Sequence, residues 1–456
     1  MQIDKLKLTN FRKFKELEIT FENNMTVLVG LNSSGKTSVL DALKIGLWSY
    51  VSGYNLGSFS NISTGIQISD VRLQRDSTEN MEYMLNSSVE LFGDAFGVEH
   101  WSRYRESIRK ATKTKDDKYA KRLKEEAKKQ EKIIFSDSIE NKTLPIVCYY
   151  GTGRLWSQKN LTNLSKKLDS EKYSKTFAYR DCLEPSSSFK HFIEWYTHIF
   201  KRYREAQIKN LEKNSFVNDI DKRLIDPIKV IQTTVNSMIE KHTGWKNLAY
   251  SEEMEQEIIL ENDQKGKLKV NMLSDGIRNI VSLAADIAYR CYKLNPHLGE
   301  DAARKTDGIV LIDEIDMHLH PQWQQNIIGD LQEAFPSIQF VITTHSPQVL
   351  STVPSKSIRI LEDDRVYEAP KGTQGAESSR ILKRVLGVDP RPLNHKVTQK
   401  LNRYLELVYS DDYASDDAKV LRDELNEIFA DEEPALLEAD LYIENKEWER
   451  ELEKDK

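Results

Sequence analysis

The sequence predicts an α/β fold: a mixed β-sheet core entered through N-terminal antiparallel strands, with a helical insertion and a helical C-terminal region. Three observations predict it. Short runs rich in β-branched and aromatic residues open the chain and return after residue 308. A glycine-rich loop near residue 30 lies between such a run and a helix. Three- and four-residue apolar spacing fills much of the remainder.

Taken in order, "DKLKLTNF", "ELEITF" and "MTVLVG" read as strands within residues 1 to 30. Residues 36 to 48 read as a helix with Val39, Leu40, Leu43 and Leu47 on one face. Arg103 to Lys132 holds 13 basic and 6 acidic residues among strong helix formers, and reads as an exposed charged helix pair. Ser186 to Trp245 is helical in pattern, with Phe189, Phe192, Ile193, Tyr196, Ile199, Phe200 and Tyr203 recurring at helical spacing. No heptad repeat persists there, so no long coiled coil is expected. "IVLIDE", "IQFVITT", "IRILED" and "RVYEA" restore strands, and the chain after about Gly387 reads as helical. The expected division is a core lobe over 1–102, the charged insertion over 103–135 and a core segment over 136–185. A helical subdomain over 186–250, a second core lobe over 251–370 and an acidic helical region over 371–456 complete it.

Composition narrows the function. The 456 residues carry 39% hydrophobic and 30% charged side chains, with a mean hydropathy of −0.59. No 18-residue apolar stretch could span a bilayer, and the N-terminus has no apolar core of a secretory signal. Cys148, Cys182 and Cys291 are scattered and odd in number, which argues against a disulfide framework or a zinc site and fits the cytoplasm. The net charge of −6 hides an asymmetry: residues 411–456 hold 18 acidic and 6 basic residues, leaving a basic body. Such a tail suits docking on a protein better than on phosphates.

"GLNSSGKTS", Gly30 to Ser38, matches G-x-x-x-x-G-K-[ST] between a strand and a helix. Gly30 and Gly35 allow the backbone to wrap a phosphate, with Asn32, Ser33 and Ser38 on the same loop and helix start. Lys36 would reach the β- and γ-phosphates of ATP and Thr37 would ligate Mg²⁺. "GIVLIDE" ends an apolar strand in Asp313, placed to hold Mg²⁺, and Glu314, placed as the base that polarises water. His318 and His320, two apart in a post-strand loop, read as structural and not as a metal pair. "NMLSDGIRN" places Ser274 at the cap of a helix opened by Gly276. "TTHSPQVLS" ends a strand in His345, which read alone is one polar residue at a strand end.

In this order, "GLNSSGKTS", "LSDGIRN", "IVLIDE" and "TTHSP" resemble the ABC-type ATPase head shared by SMC, Rad50, RecF and OLD proteins. With "YYGTGRLW" and "LIDEIDMHLHPQWQQ", the chain resembles the PtuA-type ATPase subunits of Septu anti-phage systems. The resemblance implies an ABC-type P-loop head in which Ser274, Asp275, Gly276 and Arg278 form a signature that binds the γ-phosphate held by a second copy. It implies a head-to-tail homodimer or a higher oligomer built from dimers, and makes His345 the switch histidine at the γ-phosphate. Arg12 or Lys13, in "NFRKF", would contact the nucleotide, and Gln67 is the nearest candidate for the Q-loop glutamine at Mg²⁺. The partner implied is an HNH nuclease, with DNA reached through the complex. Long separation of P-loop and signature argues against a transporter subunit. The lack of long heptads argues against an SMC ring, and the acidic helical end lacks the D-x-D expected of an intrinsic nuclease. Two readings remain: an ATP-gated regulator of a partner nuclease, and a repair-type ATPase that clamps DNA through the basic insertion.

Overall fold

The computed structural model describes residues 1–56, 64–75, 79–135, 142–153, 174–184, 189–212, 221–430 and 432–454. These form two compact units, 1–381 and 382–456. The first begins with strands β1 (Gln2–Phe11), β2 (Phe14–Thr20) and β3 (Met25–Val29), then helix α1 (Lys36–Val51). Strands β4 (Leu73–Arg75), β5 (Met81–Tyr83), β6 (Ser87–Ala95), β7 (Val98–Arg105) and β8 (Lys115–Asp116) precede helix α2 (Lys118–Phe135) and strand β9 (Ile146–Tyr150). Helices α3 (Lys190–Glu212) and α4 (Lys222–Thr243) lead to strands β10 (Trp245–Ser251), β11 (Glu257–Asn262) and β12 (Gly266–Lys269). Helices α5 (Asp275–Leu294) and α6 (Ala302–Lys305) then precede β13 (Gly308–Ile312). After α7 (Pro321–Gln324) and α8 (Ile327–Ala334) come β14 (Ile338–Thr343), α9 (Pro347–Leu350), β15 (Ile358–Glu362), β16 (Arg365–Glu368) and α10 (Ser378–Arg384).

Two sheets position the site. A six-stranded sheet runs β16-β15-β3-β14-β13-β9, parallel except for the antiparallel edge strand β16. Its strands β3, β9, β13 and β14 are buried at every residue, as expected of a parallel sheet covered on both faces. An antiparallel sheet, β2-β1-β6-β7-β8, lies alongside. Gln339, buried in β14, joins the two: its Oε1 accepts from the Ile3 N–H at 2.9 Å, and its Nε2 donates to the Ile3 and Glu22 carbonyls at 2.7 and 3.0 Å. Three bonds on one buried amide leave almost none of its polar capacity unmet.

Helix α1 lies between the sheets. The sequence predicts one apolar face, but Ala42, Ile45, Tyr50 and Val51 are buried as well as Val39, Leu40, Leu43 and Leu47. Each of the valine, leucine and isoleucine side chains contributes roughly 1.5–3 kcal/mol when fully buried. The Trp101 indole donates to the Gly46 carbonyl at 3.1 Å, and Arg103 to that of Ile45 at 2.9 Å, so β7 grips the helix.

That arrangement corrects the expected insertion. Residues 103–135 are not an exposed helix pair: Arg103 and Arg105 end β7, Lys115 and Asp116 form β8, and α2 is one helix. Both arginines are buried, because Arg103 also bonds Asp116 at 2.7 Å and Arg105 the Ile66 carbonyl at 3.0 Å. A guanidinium so fully paired can leave solvent. On α2, Ala120, Leu123, Ala127 and Gln130 are buried. The helical subdomain also ends earlier than 250, since Trp245 starts the sheet β10-β11-β12. No described helix is long and apolar enough to cross a membrane. The three cysteines are free and buried.

The second unit contains α11 (Lys396–Tyr409), α12 (Asp416–Phe429) and α13 (Pro434–Lys454). Leu401, Tyr404, Leu407 and Val408 of α11 share a core with Ala418 and Leu425 of α12 and Leu436 and Ala439 of α13. Arg422 clamps Asp440 through two nitrogens, at 2.8 and 2.7 Å. The unit therefore begins after Ile381, not at residue 371.

Candidate active site

Strand β3 ends at Val29, and residues 30–35 turn the chain into α1. Gly35 has φ +104°, and a Cβ there would lie 2.3 Å from the Phe14 ring, so the loop requires glycine. Lys36 is buried and donates to the Gly30 and Leu31 carbonyls at 2.8 and 3.2 Å. Burial pushes its ammonium below the ordinary lysine range, while Asp313, Glu314 and Asp316 oppose that shift. Asn32 and Ser33 are exposed on the loop. Helix α1 has no side-chain cap and no acid in its first turn, and the Ser34 hydroxyl is buried without a partner. Uncapped amides, a lysine and an unpaired hydroxyl around one loop fit a polyphosphate.

Strand β13 delivers the carboxylates. Asp313 Oδ2 accepts from the Thr37 hydroxyl at 3.2 Å, which brings together the two residues expected at Mg²⁺ from 276 positions apart. A hydroxyl and a carboxylate oxygen suit magnesium, which takes few protein ligands and completes its shell with phosphate and water. Thr343, at the end of β14, organises this corner. Its hydroxyl donates to Asp313 Oδ1 at 2.6 Å and accepts from the Glu314 N–H at 2.8 Å. Glu314 has φ +48°, a left-handed conformation costing a non-glycine residue about 1–3 kcal/mol, and the Thr343 bond holds it there.

Strand β14 lies between β3 and β13, so the segment after it emerges between the P-loop and the carboxylates. Its polar side chains are consumed on either side of His345. The Thr344 hydroxyl donates to Asp316 at 2.5 Å, and that of Ser346 donates to Gln324 at 2.7 Å. His345 itself is half-buried and has no hydrogen bond among the described residues. An imidazole whose ring nitrogens are not bonded to its neighbours can meet a phosphate oxygen. His345→Ala is expected to bind ATP within about twofold of the wild type and to hydrolyse it roughly 100-fold more slowly. Equilibrium binding and phosphate release measure the two; equal turnover would remove His345 from the reaction.

The residues expected to form the signature lie elsewhere on the same unit. Ser274 caps α5 with extended backbone and Asp275 begins it, both exposed, and Arg278 pairs with Asp275. A Cβ on Gly276 would meet the His318 carbonyl at 2.6 Å, and Asn279 donates to that of Met317 at 3.1 Å. The helix start thus packs on the segment that follows Glu314. No hydrogen bond joins Ser274, Asp275 or Arg278 to residues 30–38 among those described. His320 Nδ1 accepts from the Gln322 N–H at 3.3 Å and caps α7, and His318 is exposed with φ +64°.

Arg12 lies at the β1–β2 turn against α1. Its Nε donates to Asp70 at 2.9 Å, and its Nη1 to Ser38 at 3.2 Å and Asp41 at 2.8 Å. Burial works against the charge, but Asp41 and Asp70 outweigh it and raise its pKa. These bonds brace the helix that starts at the phosphate loop. Lys13 donates to the Ser33 carbonyl at 3.2 Å. Gln67 opens the single turn carrying Asp70, whose carboxylate accepts from its N–H at 2.9 Å, and its side chain donates to the Gly65 carbonyl at 3.2 Å.

"YYGTGRLW" is described through Gly153, and its last three residues lie outside the described ones. Tyr149 takes the Lys44 ammonium of α1 over its ring at 4.3 Å. The Tyr150 phenol donates to Asp286 of α5 at 2.8 Å. Sequence reasoning assigned no role to Thr343, Thr344, Gln324 or Tyr150. The only local signal was a cluster of polar residues closing a buried strand.

The AAA ATPase domain model matches residues 1–350. The chain is similar to the retron Ec83 probable ATPase of Escherichia coli, 31% identical over 506 aligned residues that cover 100% of this chain and 89% of that one. It is also similar to the Septu protein PtuA of Bacillus mycoides (strain KBAB4), 43% identical over 101 residues, covering 22% of this chain and 13% of that one. Among solved structures, the SMC head domain from Thermotoga maritima aligns at 17% identity with a TM-score of 0.41, covering 81% of this chain and 99% of that one.

Proposed function

The chain belongs to the AAA ATPase domain family, and on that premise we propose that it works as an ABC-type ATPase in which ATP pairs two copies head to tail. The exposed start of α5 carries this reading: Ser274 and Asp275 face outward, with no bond to their own phosphate loop among the described residues. Each nucleotide, with Mg²⁺ held by Thr37 and Asp313, would be closed over by the signature of the other copy. Lys36 binds the phosphates, Glu314 takes the proton of the attacking water, and His345 senses the γ-phosphate.

We further propose that this cycle, in the bacterial cytoplasm, regulates or scaffolds a separate HNH nuclease in anti-phage defence. The PtuA similarity supports the setting. The retron ATPase similarity extends over the C-terminal unit and makes a retron-type system an equal setting for it. The docking face assigned to the partner is α13, where Leu437, Leu441 and Trp448 are 51%, 60% and 62% exposed among acidic neighbours. Co-expression with the genomic neighbours tests this. The full chain is expected to co-purify with a nuclease, and Leu441→Glu with Trp448→Glu to release it while ATP turnover stays within about twofold. Retention of the nuclease by that variant would refute the docking face.

The DNA-clamping reading rests on α2, which exposes Lys121, Arg122, Lys128 and Lys129. DNA binding by the isolated chain that weakens steeply with salt, and is lost when Lys110, Lys113, Lys121 and Lys124 are neutralised, would favour it instead.

A further inference from the structure

Asp286 is fully buried on α5, eleven residues beyond the first residue of the helix. Its Oδ2 accepts from the Tyr150 phenol at 2.8 Å and from Arg290 Nε at 2.7 Å, while its Oδ1 is buried with no hydrogen-bond partner. Arg290, buried too, donates onward to the Ala178 carbonyl and, at 3.2 Å, to that of Arg180. Burial and the Asp286 charge push the Tyr150 phenol well above its ordinary pKa, so it keeps the proton it donates. The other end of Tyr150 is equally committed. Its main-chain carbonyl accepts from the Asp313 N–H at 2.8 Å, and β9 runs in register with β13 so that Tyr150 lies opposite Ile312.

One residue therefore touches the backbone of the magnesium-site aspartate on one side and the body of the signature helix on the other. A buried ion pair with an unsatisfied oxygen is a poor way to gain stability, because a well-packed apolar cluster of the same volume does as well or better. What it supplies is direction: one charge-assisted bond, from the Tyr150 phenol to Asp286, holds α5 at one height along β9, where apolar packing would let it slide, and Arg290 orients that carboxylate from within the same helix. We infer that Tyr150 is a positioning residue that ties the Asp313 end of β13 to α5, so the nucleotide state of one site is passed to the signature that serves the other. The inference rests on the head-to-tail reading above. It predicts that the two sites of a pair act cooperatively, and that the phenol hydroxyl transmits the cooperativity.

The test uses the full chain. Glu314→Gln alone is first mixed with ATP and weighed by light scattering; failure to pair would refute the head-to-tail reading itself, and with it this inference. Given pairing, Tyr150→Phe is expected to bind ATP within twofold of the wild type, yet to lose about tenfold in kcat and to bring the Hill coefficient for ATP from above 1 down to 1. Asp286→Asn keeps an acceptor for the phenol, and is expected to lower Tm through the stranded Arg290 while retaining the Hill coefficient. A purely structural role would give the opposite order, with loss following Tm. The inference is overturned by a folded Tyr150→Phe whose kcat and Hill coefficient match the wild type, or by a wild type with no cooperativity. If Tyr150→Phe does not fold, Asp286→Asn decides: cooperativity lost in that variant also overturns it.

Discussion

Glu314→Gln is expected to bind ATP normally, to lose two to four orders of magnitude in turnover, and to accumulate as a nucleotide-bound pair. The amide has the size of the carboxylate but cannot accept the proton of the attacking water, and general-base catalysis is worth about 10²–10⁴. The backbone at this position is set by the N–H bond to Thr343, which the substitution leaves in place, so the left-handed turn survives. Loss of rate without loss of fold is therefore the expected pattern. Phosphate release gives the rate, Tm the fold, and light scattering with and without ATP the mass. Turnover within threefold of the wild type would move the base elsewhere. A slow variant that stays monomeric would keep the base and remove the paired site.

Lys36→Ala should act one step earlier. Three carboxylates, Asp313, Glu314 and Asp316, act electrostatically on the Lys36 ammonium. Without it their charge opposes an incoming triphosphate with no compensation from this position. Contacts to charged groups contribute about 1.5–3 kcal/mol each, so losing those to two phosphates costs about 100-fold or more in affinity. Stability should hold, because burial already disfavours this charge and its bonds are to loop carbonyls. Titration with a fluorescent ATP analogue measures the affinity; binding as tight as the wild type would sink the phosphate-loop assignment.

The site was legible where its residues are contiguous. Gly30 to Ser38 and Ile309 to Glu314 each place backbone shape and chemistry within a few positions, so spacing alone specifies their surroundings. Where function depends on residues far apart, spacing says nothing. Tyr150 and Asp286 meet across 136 positions, and nothing local distinguishes that tyrosine from its neighbour Tyr149. Charge density misled in one place. Arg103 and Arg105 read as a solvated helix, yet lie in a strand whose alternation places Trp101, Arg103 and Arg105 inward. The carbonyls of Ile45, Thr64 and Ile66 make that tolerable, and no sequence pattern reveals which carbonyls will be available.

The order of strands in the parallel sheet sets a timetable for synthesis. β3 is among the first elements made, yet its two neighbours, β14 and β15, are among the last strands made. At about 5–20 residues per second, a ribosome needs roughly 15–60 s to travel from one to the other. Through that interval the phosphate loop hangs from a strand with no sheet, and the amide of Gln339 that will join both sheets has not been made. A chain cut short before β14 is therefore expected to hold no ATP, however complete its glycine loop.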